Sequence, residues 1–253
     1  MSAQPTTPTS TSMLHIIVPT FVPLFGPQFS RLPDELILEI FKQIATTMFP
    51  PGSRFNEIIT PTTFAILNRH YAINRIRGVS RGFATFFMQA FYENFTFSFK
   101  HRQIYNFWSQ YLTSLPAPLP AHPIRQHLRS LRIEIVLENY FFSAQEIFVL
   151  PASSALYRTR RKITTARQLL VFCPAARQLH DLCDPILGFG NLTFLGLHIR
   201  TDFRHYAVDD EFLRAIESAN FVITASKVEL VVTDNAGFVT AEQEEVKKRI
   251  VAK

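Results

Sequence analysis

An amphipathic segment near the start of the chain, SRLPDELILEIFKQI at Ser30 to Ile44, sets the strongest requirement on its fold. Its apolar residues recur at the spacing of one helical face: Leu36, Ile37, Ile40, Phe41 and Ile44. Pro33 suits the first helical position, and Asp34 and Glu35 place negative charge at the positive end of the helix dipole. Burying five such side chains is worth on the order of 10 kcal/mol. The helix must therefore pack broadly, against its own chain alone or also against a second protein.

The composition indicates a globular protein with an aromatic core. Of 253 residues, 47% are hydrophobic and 25 are Phe, against one Trp. This length suits one large domain or two small ones. The net charge of +6 permits contact with acidic partners but does not identify nucleic acid as one.

Cysteine content and the N-terminal segment favour an intracellular protein of the cytoplasm or nucleus. The two cysteines, Cys173 and Cys183, are fewer than a disulfide-built secreted fold would carry. Residues 1–29 begin with a Ser/Thr/Pro-rich stretch and continue as an apolar run that prolines interrupt, too short and broken to span a bilayer. The first basic residue, His aside, is Arg31, which does not suit a signal peptide. We predict a disordered or extended tail and no membrane partner.

Beyond the first helix, helical and strand patterns alternate. A loop at 46–61 precedes helices predicted at 62–71 and 76–91. Alternating apolar residues predict strands at 94–99, 128–137, 191–200 and 227–233. Helical spacing and capping residues predict further helices at 101–112, 155–173, 209–217 and after Thr240. A proline-rich linker at 116–123 is either a domain boundary or a loop within one domain.

This alternation favours an α/β (or α+β) fold with a mainly parallel sheet. The segments HLRSLRIEI and FGNLTFLGLHI look like degenerate leucine-rich-repeat strands, although no exact repeat occurs. We predict a helical region at 30–92, followed at 93–253 by an irregular leucine-rich-repeat-like layer of strands and helices.

Motifs for catalysis or cofactor binding are missing from the sequence. It contains no glycine-rich phosphate loop, no GxSxG nucleophile elbow and no HExxH zinc motif. The sharpest cluster lies in CPAARQLHDLCD: Cys173, His180, Cys183 and Asp184. It could form a thiolate nucleophile or supply metal ligands, but its spacing matches no standard zinc module. We expect ordinary semi-buried thiols, and we predict no catalytic residue, no metal, no cofactor and no enzymatic activity.

A basic run, YRTRRK at Tyr157 to Lys162, could contact phosphates or act as a nuclear import signal. A solvated helix face is the simpler interpretation. Aromatic and basic neighbours at 99–102 could stack a base, but the same Phe side chains are needed on the face of the predicted sheet. We therefore do not expect a nucleic-acid partner.

Four short motifs, in this order, resemble those of fungal F-box and F-box-like proteins. LPDELILEIFKQI at 32–44 resembles the first F-box helix, and VSRGFATFF at 79–87 resembles its later Val-[Ser/Cys]-Arg helix. FYENFTFSF at 91–99 is similar to the Tyr…Phe-x-Phe strand that follows in many of those proteins. IRQHLRSLRIEI at 124–135 resembles their next strand. The order of the motifs is more specific than any one of them.

The resemblance implies a substrate-recruiting subunit of a cullin–RING (SCF) ubiquitin ligase. Its N-terminal helices would bind the Skp-type adaptor, and its C-terminal region would hold an unknown protein substrate near the ubiquitin-conjugating enzyme. The residues that match the family's adaptor-facing and core positions are Leu32, Pro33, Leu36, Ile37, Ile40, Phe41 and Val79. Such double use would explain a wide stripe, with one edge on the chain's own helices and the other on the partner.

The chain differs in length from a compact F-box, because Pro33 and Val79 stand 46 positions apart. The insertion around Met48 to Pro61 could be a loop away from the adaptor surface, or it could cover that surface. Related fungal families share the helix and strand motifs without an established ligase role. The alternative is a non-catalytic interaction or structural domain whose first helix is buried within its own chain. An exposed apolar patch on that helix would distinguish the two.

Overall fold

The computed structural model describes residues 32–49, 58–70, 73–100, 102–106, 111–115, 119–142, 160–187, 189–203 and 206–252. The predicted tail at 1–29 lies outside these ranges, as does the part of the predicted insertion at 50–57. The described chain combines helices with a parallel sheet, which agrees with the predicted α/β class. None of the helices in these ranges has the length and apolar character needed to cross a membrane.

The described chain opens with helices α1 (Asp34–Met48), α2 (Pro61–His70), α3 (Ile73–Arg77) and α4 (Arg81–Asn94). Pro33 stands at the N-cap of α1 rather than at its first helical position, and α1 continues into the predicted loop. The helix predicted at 76–91 is divided in two. The chain turns at Gly78, and Ser80 begins α4 by accepting a hydrogen bond from the Phe83 N–H at 3.1 Å.

Aromatic rings hold α1 against α4. The Phe41 ring meets the Phe83 ring edge-on, with 4.6 Å between centroids, and the Phe87 ring with 6.2 Å between centroids. Phe41 and Phe87 are both fully buried. Because edge-to-face pairs add about 0.5–1.5 kcal/mol each beyond the burial of their surface, these contacts fix which edge of α1 faces inward.

The remaining helices are α5 (His122–Arg125), α6 (Ala166–Phe172), α7 (Pro174–Cys183), α8 (Asp210–Ala219) and α9 (Ala241–Arg249), with a 3₁₀ turn at Pro185–Leu187. Helices α6 to α9 share one apolar core with the sheet. The predicted capping residues are confirmed. Asp209 accepts a hydrogen bond from the Phe212 N–H at 3.1 Å at the start of α8, and Thr240 and Gln243 form the capping box of α9.

The described strands are β1 (Thr96–Lys100), β2 (Arg102–Asn106), β3 (Tyr111–Leu115), β4 (Ser130–Glu138), β5 (Tyr140–Phe142), β6 (Arg160–Lys162), β7 (Phe194–Asp202), β8 (Val222–Ile223), β9 (Lys227–Asp234) and β10 (Val251–Ala252). The central sheet has the order β1-β4-β7-β9, and every neighbouring pair in it is parallel. Each of its strands overlaps a predicted strand, so the mainly parallel sheet is confirmed. β8 and β10 pair separately, also in parallel.

One face of the central sheet carries the buried apolar rows that the alternation predicted. Its fully or almost fully buried side chains are Phe97, Phe99, Leu131, Ile133, Ile135, Leu195, Leu197 and Ile199. They belong to the same core as the helices. The proline-rich linker lies between β1 and β4, which pair directly from Thr96↔Ser130 to Lys100↔Glu134. The linker therefore belongs to a longer connection, with β2 and β3 before it, that joins two neighbouring strands of one sheet.

Two helix predictions are wrong. Where we predicted a helix at 101–112, β2 and β3 pair as an antiparallel hairpin. Where we predicted a helix at 155–173, β6 pairs with β5, and α6 begins only at Ala166; residues 155–159 lie outside the described ranges. Short runs of aromatic and aliphatic residues satisfy both helical and strand spacing. Pairing with a neighbouring strand decides between them, and local sequence does not show it.

Candidate protein-interaction site

The apolar stripe of α1 divides into a buried edge and an exposed edge. Ile37 and Phe41 are 3% and 2% exposed, and Ala45 continues the buried edge. Leu36 and Ile40, each one residue earlier, are 53% and 41% exposed. Because Leu36 and Ile40 are four residues apart on the helix, their side chains are neighbours on its outer surface. The chain's own core therefore uses only part of the predicted stripe.

The exposed edge extends towards the C-terminal end of α1. A shallow depression there is lined by Ile40, Gln43, Ile44, Thr47 and Met48. None of these five side chains is charged, and Ile44 and Met48 rest partly on the core. The depression therefore suits an apolar group from another molecule.

The other residues of the predicted adaptor surface flank this helix pair. Leu32 and Pro33 are exposed just before α1. Val79 is 64% exposed in the turn before α4, the helix on which α1 packs. Ile37 and Phe41 differ from the rest, because they face the chain's own core. Contact of any of these residues with an adaptor stays a prediction.

A buried carboxylate on α4 holds α1 in this orientation. Glu93 forms salt bridges with Lys42 of α1 at 3.1 Å and with Arg129 at 3.7 Å, and it accepts a hydrogen bond from Gln89 at 2.9 Å. Burial alone would raise the pKa of Glu93, but these hydrogen bonds and positive charges outweigh it and lower the pKa below its usual value. Sequence reasoning missed Glu93, whose only local signal is the i, i+4 spacing with Gln89.

The end of the insertion behind α1 is tied to the sheet. Ile59 forms a parallel bridge with Phe97 of β1. Its N–H donates to the Thr96 carbonyl at 2.8 Å, and its carbonyl accepts from the Ser98 N–H at 2.9 Å. The β-branched pair in NEIIT was the signal that could have predicted this extended segment. At Ile59 the chain thus lies beside β1 at the edge of the sheet, just before α2 begins at Pro61.

A second surface lies on the side of the sheet opposite its buried rows. Three rows of side chains across β1, β4, β7 and β9 form what we call the open face: Thr96, Ser130, Phe194 and Lys227; Ser98, Arg132, Gly196 and Glu229; and Lys100, Glu134, His198 and Val231. A depression of about 340 Å³ is lined by the second and third of these rows together with Ile58. The sequence analysis did not predict this surface.

Polar contacts organise the open face. Glu134 lies between two cations, Lys100 at 3.2 Å and Arg200 at 3.4 Å. Partial burial opposes ionisation of Glu134, but its hydrogen bonds with Lys100 and Arg200 and the nearby charge lower its pKa overall. The Nε2 of His198 lies 2.9 Å from the Thr233 hydroxyl. The third row is therefore held in place by its neighbours.

The cysteine–histidine cluster is not assembled into a site. Cys173 immediately precedes the ten-residue helix α7, and Cys183 is its last residue. The helix therefore separates the two cysteines by roughly 15 Å along its axis. Burial raises the pKa of both thiols to about 11, and His180 is exposed. Across the described ranges, no three His, Cys, Asp or Glu residues come together as possible metal ligands. The structure thus places one thiol in the core and leaves the other half-buried, at opposite ends of one helix.

The described end of the basic run has a structural role. Lys162, the last residue of β6, forms salt bridges with Asp209 and, at 3.1 Å, with Glu211. It thereby joins β6 to the start of α8. The predicted helix face is a strand at this point, and residues 157–159 of the run lie outside the described ranges.

Two surfaces therefore stand out in the described chain, the exposed edge of α1 and the open face of the sheet. One is apolar and belongs to a helix, and the other is charged and belongs to four strands. Comparison with family models, curated proteins and solved structures found no match to this chain.

Proposed function

We propose that this chain is an F-box-like, substrate-recruiting subunit of an SCF-type ubiquitin ligase, and that it binds the Skp-type adaptor through the exposed edge of α1. The observation that carries the proposal is the exposure of Leu36 and Ile40 on a helix whose inner edge is already buried. The F-box-like motifs supply the identity of the partner. A helix buried wholly within its own chain, as the alternative requires, would cover these two side chains.

The energy available at this edge suits a helix that docks on a partner. Full burial of a Leu or Ile side chain is worth about 1.5–3 kcal/mol. Leu36 and Ile40 are about half exposed, so each has on the order of 1 kcal/mol left to gain from a partner. Together with the depression at Ile44 and Met48, they form the kind of apolar helix edge that enters a groove on another protein.

In this function the chain catalyses no reaction. It holds a protein substrate near the ubiquitin-conjugating enzyme and so raises the effective concentration of substrate lysines at that enzyme. Regions beyond α4 would hold the substrate, and the leucine-rich-repeat-like layer is the part of the chain proposed for that role. The proposed ligase complex would act in the cytoplasm or nucleus.

A pulldown with the Skp-type adaptor tests the proposal. We expect Ile40→Asp to lower adaptor affinity at least tenfold, because it removes about 1 kcal/mol of burial and would place a carboxylate in an apolar contact. Val171→Asp is the matched control, since Val171 is also an apolar side chain about half exposed on a helix. Each variant should lower the free energy of unfolding by no more than about 1–2 kcal/mol, and by similar amounts, so that both remain folded in the assay.

The proposal fails if wild type, Ile40→Asp and Val171→Asp recover equal amounts of adaptor. It also fails if wild-type recovery does not exceed that of an unrelated protein. Either result would favour the non-ligase interaction domain.

A further inference from the structure

The open face carries more positive than negative charge. Its three rows contain the cations Lys100, Arg132 and Lys227 and the carboxylates Glu134 and Glu229. The face ends at the next residue pointing this way on β4, Val136, which is 2% exposed. Two further acidic residues, Glu138 and Asp202, lie in register beyond that buried position. The three rows thus carry one more cation than carboxylate, whereas the lining of the depression itself holds equal numbers, Lys100 and Arg132 against Glu134 and Glu229.

The carboxylates of the open face are already paired. Glu134 is held by Lys100 and by Arg200 from the adjoining row, and Glu229 is held by Lys227 at 2.9 Å. Arg132 forms no salt bridge with a carboxylate of any described residue. The pKa of Glu229 is lowered mainly by its hydrogen bond with Lys227, and the nearby charge of Arg132 adds to this effect. Arg132 is nevertheless the cation of the three rows whose guanidinium no described carboxylate contacts directly.

The side chain of Arg132 crosses Gly196, its neighbour in the same row. Gly196 has no side chain, and a Cβ there would lie 3.1 Å from the Arg132 Cγ. The guanidinium carbon of Arg132 is 5.5 Å from the centre of the Phe194 ring. The missing side chain therefore lets Arg132 lie across β7 at the side of the depression of about 340 Å³.

We propose that the open face binds an extended acidic segment of another protein, with Arg132 as the principal contact for its carboxylate or phosphate groups. The apolar side chains of Val231 and Ile58, both partly exposed at the depression, would contact the segment's apolar atoms. Because an arginine can bind a planar or tetrahedral oxyanion through two parallel hydrogen bonds, it suits this role better than a lysine. In the function proposed above, the acidic segment would belong to the recruited substrate, and this identification rests on that function. The binding of an acidic segment to the open face does not rest on it.

A nucleic acid fits this face less well than a peptide. Sites for single strands usually present aromatic rings on which bases stack. Phe194, the aromatic residue of the three rows, already has Arg132 and Lys227 over its ring, each 5.5 Å from the centre.

Fluorescence anisotropy with the isolated chain tests the proposal without any adaptor. The probe is a labelled twelve-residue peptide of alternating Glu and Ser, compared with the same peptide carrying Gln in place of Glu. We expect the Glu peptide to bind more tightly and to weaken as salt is raised from about 50 to 300 mM, since salt screens exposed charges. Arg132→Glu should weaken its binding by about tenfold or more.

A matched variant separates this site from the general charge of the protein. Arg167→Glu changes the net charge by the same amount, but Arg167 is exposed at the start of α6, away from the four strands of the open face. It should leave peptide binding within about twofold of wild type. Arg132→Gln keeps a long polar side chain but removes the positive charge. We expect it to lose most of the peptide binding, because the charge of Arg132 is what the peptide's anionic groups contact.

Three results would overturn the proposal: equal binding of the Glu and Gln peptides, equal loss in Arg132→Glu and Arg167→Glu, or tighter Arg132-dependent binding of a twelve-nucleotide single strand than of the Glu peptide. A chain that binds the peptide but not the Skp-type adaptor would keep this inference and refute the ligase function. A chain that binds the adaptor but not the peptide would do the reverse.

Discussion

Two adjacent residues of α1, Ile40 and Phe41, should lose very different amounts of stability on truncation to Ala. The Phe41 side chain is 2% exposed and contacts the rings of Phe83 and Phe87 at centroid distances of 4.6 and 6.2 Å. Phe→Ala in such a core costs about 3–5 kcal/mol, through lost burial and the cavity that remains. We expect Phe41→Ala to lower the free energy of unfolding by about 4 kcal/mol.

Ile40→Ala should behave differently, because 41% of the Ile40 side chain is already exposed in the folded chain. We expect a loss of about 1 kcal/mol or less. For a chain of this length 1 kcal/mol corresponds to about 2–4 °C in Tm, so Phe41→Ala should lower Tm by about 8–16 °C and Ile40→Ala by less than 4 °C.

Urea unfolding followed by circular dichroism measures both variants, with the slope m checked for constancy so that the midpoint reports stability. Leu36→Ala is the second surface variant and should resemble Ile40→Ala. Equal losses in Ile40→Ala and Phe41→Ala would mean that both edges of α1 are buried. The division of the stripe, and with it the proposed adaptor edge, would then be wrong.

Two further predictions concern charge and capping. Because the folded-state pKa of Glu93 is lowered, its carboxylate stabilises the fold above its ordinary pKa of 4.5 and loses that effect as pH falls through the lower folded value. Wild type should therefore exceed Glu93→Gln in unfolding free energy at pH 7, and the gap should close on acidification; a pH-independent gap in urea titrations would contradict this. Asp209→Ala should cost about 1–2 kcal/mol by removing the N-cap of α8, whereas Asp209→Asn, which can still cap, should cost less in the same assay.

The parts of the fold that could be predicted are those that local residues determine. Leu131, Ile133 and Ile135 alternate with polar neighbours, and this period of two is a property of any half-buried strand. Asp209 has a side-chain oxygen that can reach its own helix, so the start of α8 could be recognised without knowing what it packs against.

The hairpin of β2 and β3 could not be predicted in this way. Apolar residues in 101–112 recur at helical spacing, yet β2 pairs with β3 over Arg102↔Leu115 to Asn106↔Tyr111. That pairing uses residues beyond the predicted helix. A window that ends before the partner strand contains no information about the hydrogen bonds that stabilise the strand.

The candidate surfaces were only partly visible in the sequence for a similar reason. The stripe of α1 predicted that Leu36, Ile37 and Ile40 share a helical face, but the position of α4 decides which edge is buried. On the open face, Glu134 and His198 occupy one row only because of the register between β4 and β7. Register is a property of the sheet as a whole, so their proximity could not be read from either strand.

Glu93 connects the two surfaces, because its carboxylate contacts Lys42 on α1 and Arg129 just before β4. The Arg129 carbonyl in turn accepts hydrogen bonds from the N–H groups of Thr193 and Phe194, at 2.8 and 3.0 Å, where β7 begins. The helix with the proposed adaptor edge is thus linked through one buried side chain to the strands with the proposed peptide site. Recruitment gains from a fixed geometry, since effective concentration falls when the two binding sites can move independently. In the proposed function, this link would make Glu93 a residue that positions the two binding surfaces as well as one that stabilises the fold.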